Sequence, residues 1–231
     1  MAKKGKKQQE EGVLESAEVL ADQLTKSEKF LEEHKTLVFS LAGLLAIVLA
    51  GYFGYKYYME GQNTLAQDEM FQAVHYFEQD SLDLALNGDG NYYGFLDVID
   101  NYGHTEAGNL ANFYVGAIYM KKGSYTSAIP FLEDFSSNDM VVQARAYSLL
   151  GDAYMQQGEF SEAATYYTKA ADYKPNKYFT PVYLMKAGLA YEKLEDYDNA
   201  LKQYEKIVTK YPESNEADKA KKYKAELQSK S

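Results

Sequence analysis

The chain has 231 residues, a formal net charge of −10 and no cysteine, so one or two domains are expected, without a disulfide framework or thiolate metal site. The acidic balance argues against nucleic-acid binding, which requires concentrated basic surface. The 23 tyrosines and 11 phenylalanines, beside only 4 prolines, favour packed helices over a loop-rich or disordered chain.

Residues 1–35 are predicted to form a cytoplasmic amphipathic segment. Its apolar stripe recurs at helical steps of three and four residues and consists of Val13, Ala17, Leu20, Leu24, Ser27 and Leu31. Eight acidic residues share this segment, and they disfavour an anionic membrane surface. Packing of the stripe on a partner protein is therefore at least as plausible as packing on the inner leaflet.

Residues 36–58 are predicted to form a transmembrane signal-anchor helix. The 19 residues 37–55 carry no charge, and a helix of that length spans about 28 Å, roughly the hydrocarbon thickness of a bilayer. Aromatic residues cluster at the C-terminal end, as they do at membrane interfaces. A signal peptide cleaved before Gly51 is the competing interpretation, but its long, acid-containing basic region disfavours it.

Lysine and arginine counts give this anchor a direction. Seven lysines precede it, whereas neither lysine nor arginine occurs between Lys56 and Lys121. Positive charge stays on the cytoplasmic side of single-pass proteins. We therefore predict a cytoplasmic N-terminus, a single span of the bacterial inner membrane and a periplasmic C-terminal region.

One face of the anchor carries small residues at steps of four: Ala42, Ala46, Ala50 and Gly54. Small residues at this spacing allow a second helix to approach closely. This stripe is therefore the candidate membrane-helix contact face, although alanine and glycine are also common in membrane helices that make no such contact.

Three windows of the C-terminal region share one pattern. Each has a glycine, an aromatic residue three positions later, another aromatic residue nine positions later, and an alanine twelve positions later. The sets are Gly116, Tyr119, Tyr125 and Ala128; Gly151, Tyr154, Phe160 and Ala163; and Gly188, Tyr191, Tyr197 and Ala200. Internal repetition at a period of 35 to 37 residues is typical of solenoid architectures.

This pattern resembles the tetratricopeptide repeat over residues 109–212. The resemblance implies helical hairpins in which the glycine and the alanine lie where the two helices cross. Gly123 and Gly158 fit the turn that ends the first helix of a hairpin. Glu195 replaces glycine at the equivalent place of the third unit, so the sequence does not specify that turn.

The flanking segments extend the predicted stack. Residues 59–105 have helical apolar spacing and a turn at 87–90, which indicates a degenerate helical hairpin. Residues 106–212 hold the three repeats, and residues 213–231 form a capping helix and tail. The predicted fold class is all-α: a single N-terminal transmembrane helix followed by a tetratricopeptide-repeat helical-hairpin solenoid with a C-terminal capping helix.

No catalytic or metal-binding pattern occurs in the sequence. The three histidines are isolated, and neither a phosphate loop nor a nucleophile elbow is present. The run 87–91 lacks the later glutamate that a calcium loop needs. We therefore predict that the protein is not an enzyme, uses no cofactor or metal, takes no small-molecule substrate, and binds protein partners.

The resemblance also implies a partner-binding groove lined by the first helix of each hairpin. Its inward positions mix methionine, leucine and phenylalanine with charges of both signs, which suits varied protein partners. These candidate residues are Phe113, Ala117, Met120, Lys121, Arg145, Ser148, Asp152, Met155, Gln156, Met185, Leu189, Glu192 and Lys193. Phe113 and Ala117 stand where a clamp for a C-terminal carboxylate would begin, so we expect no such ligand.

The order of the parts carries a second resemblance. The charged run 28–35 leads directly into the anchor, aromatic residues follow at 52–58, and the repeats come last. In this order the chain is similar to the YfgM-like accessory proteins of the bacterial Sec translocon. The resemblance implies association with the SecYEG channel and with a membrane-anchored periplasmic chaperone of the PpiD type, in support of exported proteins.

An envelope-assembly or cell-division scaffold is the alternative function. The junction 211–214, followed by an alanine-containing helix, is similar to that group of periplasmic repeat proteins. Such a scaffold would bind outer-membrane or peptidoglycan machinery instead of the translocon.

Overall fold

The computed structural model describes Thr25 and residues 29–229, and this part of the chain contains helices and turns without a β-strand. Its helices with defined bounds are α1 (Lys35–Glu78), α2 (Leu82–Asn87), α3 (Phe95–Tyr102), α4 (Glu106–Lys121), α5 (Tyr125–Asp134), α6 (Met140–Gln157), α7 (Phe160–Asp172), α8 (Thr180–Lys193), α9 (Tyr197–Lys210) and α10 (Ala217–Gln228). Most of the predicted amphipathic segment 1–35 lies outside the described residues. The chain divides into two compact units, of which the first ends at Met59 and the second is Glu60–Ser231.

The first unit contains the apolar part of α1. By length and composition, α1 is a candidate membrane span, and none of its apolar window is buried within the protein. Large apolar side chains such as Phe39 and Ile47 are more than two-thirds exposed. A bilayer accommodates such a surface, whereas a water-soluble core helix would bury it.

The second unit is a stack of helices that pack on their neighbours in the sequence. From α4 to α10, each helix contacts the next one along the chain. The buried cores follow the same order: one cluster centres on α1, α3 and α4, and another on α8, α9 and α10. At the end of the stack, α10 buries Ala217, Ala220 and Leu227 and keeps Lys219, Lys221 and Lys222 exposed. This organisation is that of a solenoid, in which each unit is stabilised by adjacent units.

The first helix of each glycine-containing hairpin ends in the same turn. Gly123 and Gly158 have φ values of 72° and 81°, in the left-handed region. The Gly158 N–H donates to the Met155 carbonyl at 3.2 Å, and the Glu159 N–H donates to the Tyr154 carbonyl at 3.0 Å. These two bonds satisfy carbonyls that the helix end leaves open. The prediction of caps at the two glycines is confirmed.

Glu195 forms this turn without a glycine. Its φ is 59°. Its N–H donates to the Glu192 carbonyl at 3.0 Å, and the Asp196 N–H donates to the Tyr191 carbonyl at 3.0 Å. A left-handed conformation costs a residue with a Cβ about 1–2 kcal/mol. The hydrogen-bond pattern is therefore retained in the third unit against a local steric penalty.

Asp80 forms a fourth copy of the turn, between α1 and α2. Its φ is 59°, and the N–H groups of Asp80 and Ser81 make the same two bonds at 3.0 and 2.9 Å. Ala73 lies seven residues before Asp80, at the position where the other units have their packing glycine. Ala85 follows Asp80 at the position where the other units have their repeated alanine, and both alanines are buried. The predicted turn at 87–90 is also present, but it follows the short helix α2 instead of closing the hairpin.

We expect Glu195→Gly to stabilise the protein by about 0.5–1 kcal/mol, because glycine removes the left-handed penalty while it adds entropy to the unfolded chain. Thermal unfolding of the full chain in detergent, followed by circular dichroism, measures this change. Glu195→Ala is the matched control, since it removes the same side chain and keeps the penalty. An equal rise in both variants would contradict the explanation.

Candidate partner-binding surface

Glycine allows the two helices of each hairpin to come into close contact. A Cβ atom at Gly116 would lie 2.5 Å from Leu132, whereas one at Gly151 or Gly188 would lie 2.6 or 2.4 Å from the ring sixteen residues later. Those rings belong to Tyr167 and Tyr204, which are nearly or fully buried. Such distances are too short for any side chain at the glycine position. The glycine's contact is therefore with the large residue one turn beyond the repeated alanine.

The hydroxyl groups of these buried tyrosines find acidic partners on the first helix of the same hairpin. Tyr167 donates to Asp152 Oδ1 at 2.7 Å, and Tyr204 donates to Glu192 Oε1 at 2.5 Å. Burial, and then the hydrogen bond to the acid, raises the pKa of each tyrosine well above its usual range. Two predicted groove residues, Asp152 and Glu192, thus support the packing of their own hairpins.

Asp152 also pairs with a lysine from the next hairpin. Lys186 Nζ lies 2.7 and 2.8 Å from the two carboxylate oxygens of Asp152, and 3.2 Å from the hydroxyl of Ser148. The same ammonium lies 5.4 Å from the ring centre of Tyr167. This network joins α6, α7 and α8, and it neutralises the Asp152 charge within the protein.

The remaining apolar groove residues cover the core. Those partly buried against core clusters are Phe113, Ala117, Met120, Met155 and Leu189. Met185 is 7% exposed and Ser148 is fully buried. These two positions lie in the interior and contribute packing instead of accessible surface.

Four predicted groove residues are exposed: Lys121, Arg145, Gln156 and Lys193. Lys121 Nζ lies 2.5 Å from Asp80 Oδ1 and 5.2 Å from the ring centre of Phe77. Lys121 therefore links α4 to the first hairpin, and the charge on this part of the surface is already paired.

The predicted membrane-helix contact face is exposed along its length. Ala42, Ala46, Ala50 and Gly54 all face outward in the described structure. Beyond the adjoining backbone of α1 itself, no atom lies within 4 Å of a Cβ placed on Gly54. Nothing within the chain covers this stripe in the part that the structure describes.

A cleft of about 710 Å³ lies beside the N-terminal ends of α4 and α6. Residues of α1, α4 and α6, together with the segment 135–139, line it: Gln67, Met70, Glu106, Ala107, Asn109, Leu110, Phe135, Ser136, Ser137, Asn138, Asp139, Val142, Gln143, Tyr147 and Tyr173. Its volume lies within the range of protein ligand pockets. Leu110, one turn before Phe113 on α4, extends the predicted groove into the cleft.

The segment 135–139 exists because α5 is short. Pro130 lies inside α5, which ends after 10 residues, whereas α7 and α9 have 13 and 14. The missing N–H of Pro130 affects the preceding turn of α5, whereas the helix ends four residues after the proline, at Asp134. The residues that would continue α5 instead form a wall of the cleft.

Side chains from two hairpins, α4–α5 and α6–α7, hold this wall in place. Asn109 donates to the Ser136 carbonyl at 2.7 Å and accepts from the Ser136 N–H at 3.0 Å. The Ser137 N–H donates to Gln143 at 2.5 Å, and the Ser137 carbonyl accepts from the Tyr173 hydroxyl at 2.7 Å. These residues leave no periodic signal in the sequence, because the contacting pairs are separated by 6, 27 and 36 positions and follow no helical repeat.

Two profiles of the tetratricopeptide repeat match residues 144–177 and 183–214, which are the α6–α7 and α8–α9 hairpins. The chain contains tetratricopeptide repeats. A crystal structure from Podosopora anserina, described as a kinesin light chain with nearly identical TPR-like repeats, matches with a TM-score of 0.52 at 14% identity. That match covers 72% of this chain and 86% of the other, and it supports the fold alone. No curated protein sequence matches the chain significantly.

The tetratricopeptide repeats make this chain a protein–protein interaction scaffold, and such repeats are typically non-catalytic. In the part of the chain that the structure describes, no group of three or more histidine, aspartate or glutamate residues is placed to hold a metal ion.

We expect Gly151→Ala to destabilise the repeats by about 1–2 kcal/mol, because the new methyl group displaces the hydrogen-bonded Tyr167 ring. Gly61→Ala is the matched control. It also lies within a helix, but no atom outside the adjoining helix backbone is within 4 Å of its new Cβ, so the better helix propensity of alanine stabilises it. Chemical denaturation of both variants measures whether each substitution raises or lowers the free energy of unfolding. Stabilisation by Gly151→Ala would contradict the close contact.

Proposed function

We propose that the protein is a membrane-anchored periplasmic scaffold that associates with the SecYEG translocon and assists exported proteins together with a PpiD-type chaperone. The observation that carries this proposal is the joining, in one chain, of an apolar candidate span to tetratricopeptide repeats. A scaffold that is tethered to the membrane meets its partners at the membrane surface. The proposal assigns the protein no catalytic step, cofactor or metal.

Charge distribution supports the proposed orientation. Lys56 closes the apolar stretch, and no lysine or arginine follows it before Lys121, whereas seven lysines precede the stretch. The lysine and arginine content of the segments next to a membrane span sets its orientation, and the segment richer in these residues stays in the cytoplasm. The repeats then lie in the periplasm.

Single cysteines test this orientation without background, because the natural chain has none. Glu32→Cys and Asp100→Cys place exposed thiols on the two sides of the apolar stretch. In intact spheroplasts, we expect a membrane-impermeant maleimide to label Asp100→Cys and to label Glu32→Cys only after permeabilisation. The reverse labelling pattern would overturn the periplasmic assignment.

The small-residue face of α1 is proposed to contact a membrane helix of the translocon. Ala42, Ala46 and Ala50 lie on one side of the helix because four residues complete slightly more than one turn. Their small side chains and outward exposure allow close helix approach. On this proposal, the anchor is part of the binding surface as well as a tether.

Co-purification in mild detergent tests the partner. We expect a tagged full chain to enrich SecYEG and the chaperone over an unrelated single-pass protein. Replacing Ala42, Ala46 and Ala50 by leucine is expected to lower SecYEG recovery about tenfold, because bulky side chains separate the helices.

Leu41→Phe with Val48→Phe is the matched control, since these positions lie on the opposite side of the same helix. Its SecYEG recovery is expected to equal that of the natural chain. Lack of Sec enrichment would reject the translocon proposal, and enrichment of outer-membrane or peptidoglycan machinery would instead support the envelope-assembly scaffold.

A further inference from the structure

Acidic charge is concentrated in the first two-thirds of the second unit, Glu60–Ser231. Residues 60–168 contain 16 acidic residues and 3 basic ones, a net charge of −13, although the whole chain has −10. Residues 169–231 contain 10 acidic and 13 basic residues, a net charge of +3. The overall charge therefore conceals a strongly negative region that is followed by a slightly positive one.

Two of the three cations in this acidic region are already paired within it. Lys121 contacts Asp80 at 2.5 Å, and Lys122 forms an ion pair with Asp83. Only Arg145 remains outside these pairs.

Two lysines from outside the region also act on its acids: Lys186 pairs with Asp152, and Lys174 helps to lower the pKa of the Asp139 carboxyl. With these two charges added to −13, the net charge is −11, so the region stays strongly negative.

The cleft beside α4 and α6 lies almost entirely within this acidic region. Its accessible apolar surface comes from the half-buried Leu110 and Val142, with Met70 and Phe135 buried behind them. Such a surface suits an aliphatic or aromatic side chain from a partner, because burial of that side chain removes apolar area from water.

The carboxylates at the cleft are Glu106 and Asp139. Asp139 accepts the N–H groups of Val142 and Val141 at 2.9 and 2.8 Å, and these bonds lower the pKa of its carboxyl, so it carries charge at neutral pH. Both groups lie where their helices, α4 and α6, begin.

The backbone of the cleft wall is already hydrogen-bonded to the protein. The carbonyls of Ser136, Ser137 and Asn138 accept from Asn109, Tyr173 and Lys174. Recognition by this wall must therefore come from the apolar surface and the carboxylates instead of from these main-chain carbonyls.

We propose that the cleft binds an extended segment of a partner protein in which one apolar side chain is flanked by lysine or arginine. The apolar side chain packs on Leu110 and Val142, and the flanking cations face Glu106 and Asp139. This inference rests on the proposed scaffold function and names the chemistry of its partner. Charge complementarity selects this occupant, since the same field repels acidic segments and anionic lipid.

Fluorescence anisotropy with the full chain in neutral detergent tests the proposal. The probe is a labelled peptide with one leucine flanked on each side by two lysines. We expect saturable binding that weakens as salt is added. Peptides with glutamate in place of lysine, or with glycine in place of leucine, are expected to bind at least about tenfold more weakly.

Charge-neutral variants localise the binding. Glu106→Gln with Asp139→Asn is expected to weaken binding about fivefold, since each exposed ion pair contributes modestly. Asparagine keeps the ability of residue 139 to cap α6. Asp100→Asn with Glu162→Gln is the matched control: it removes the same charge at exposed positions outside the cleft, and its affinity is expected to stay close to that of the natural chain.

Equal losses in the two double variants would overturn the cleft as the binding site. Equal binding of the lysine and glutamate peptides would overturn the proposed partner chemistry. Neither result bears on the association with SecYEG, because co-purification measures that association separately. Failure of this inference is therefore distinguishable from failure of the proposed function.

Discussion

The close contact between a glycine and a large side chain sixteen residues later is the constraint on which the repeat region depends. With Gly151 against Tyr167, and Gly188 against Tyr204, the paired helices approach until a Cβ no longer fits. That approach buries a tyrosine ring, and a buried hydroxyl needs a partner. Asp152 and Glu192 meet this need, so an acidic side chain on the first helix of each of these hairpins stabilises the hairpin from within.

A second constraint is the turn that ends the first helix of each hairpin. The pair of hydrogen bonds is the same at Asp80, Gly123, Gly158 and Glu195, whereas the residue in the left-handed position differs. Packing of the helices therefore determines the turn, and glycine makes it less costly. This explains why the first hairpin belongs to the series even though Ala73 replaces its packing glycine.

The region suited to partner binding arises where the repetition is broken. The end of the short helix α5 at Asp134 leaves the segment 135–139 outside a helix, and this segment becomes one wall of the cleft. Polar side chains from neighbouring hairpins then hold it in position. A repeat scaffold obtains a distinctive surface in this way, since a regular hairpin offers the same packing as its neighbours. The negative charge of residues 60–168 is the basis on which we propose a basic partner segment.

The sequence by itself determined the features that rest on local periodicity and composition: the apolar stretch, the hairpins around Gly116, Gly151 and Gly188, and the caps at Gly123 and Gly158. Only the tertiary structure decided which distant side chains meet. Lys186 reaches Asp152 across 34 positions, and Asn109 reaches Ser136 across 27. Contacts between residues so far apart follow from helix packing, which is also why the cleft left no pattern in the sequence. The turns at Asp80 and Glu195 are local, but they lack the glycine that marks the other two.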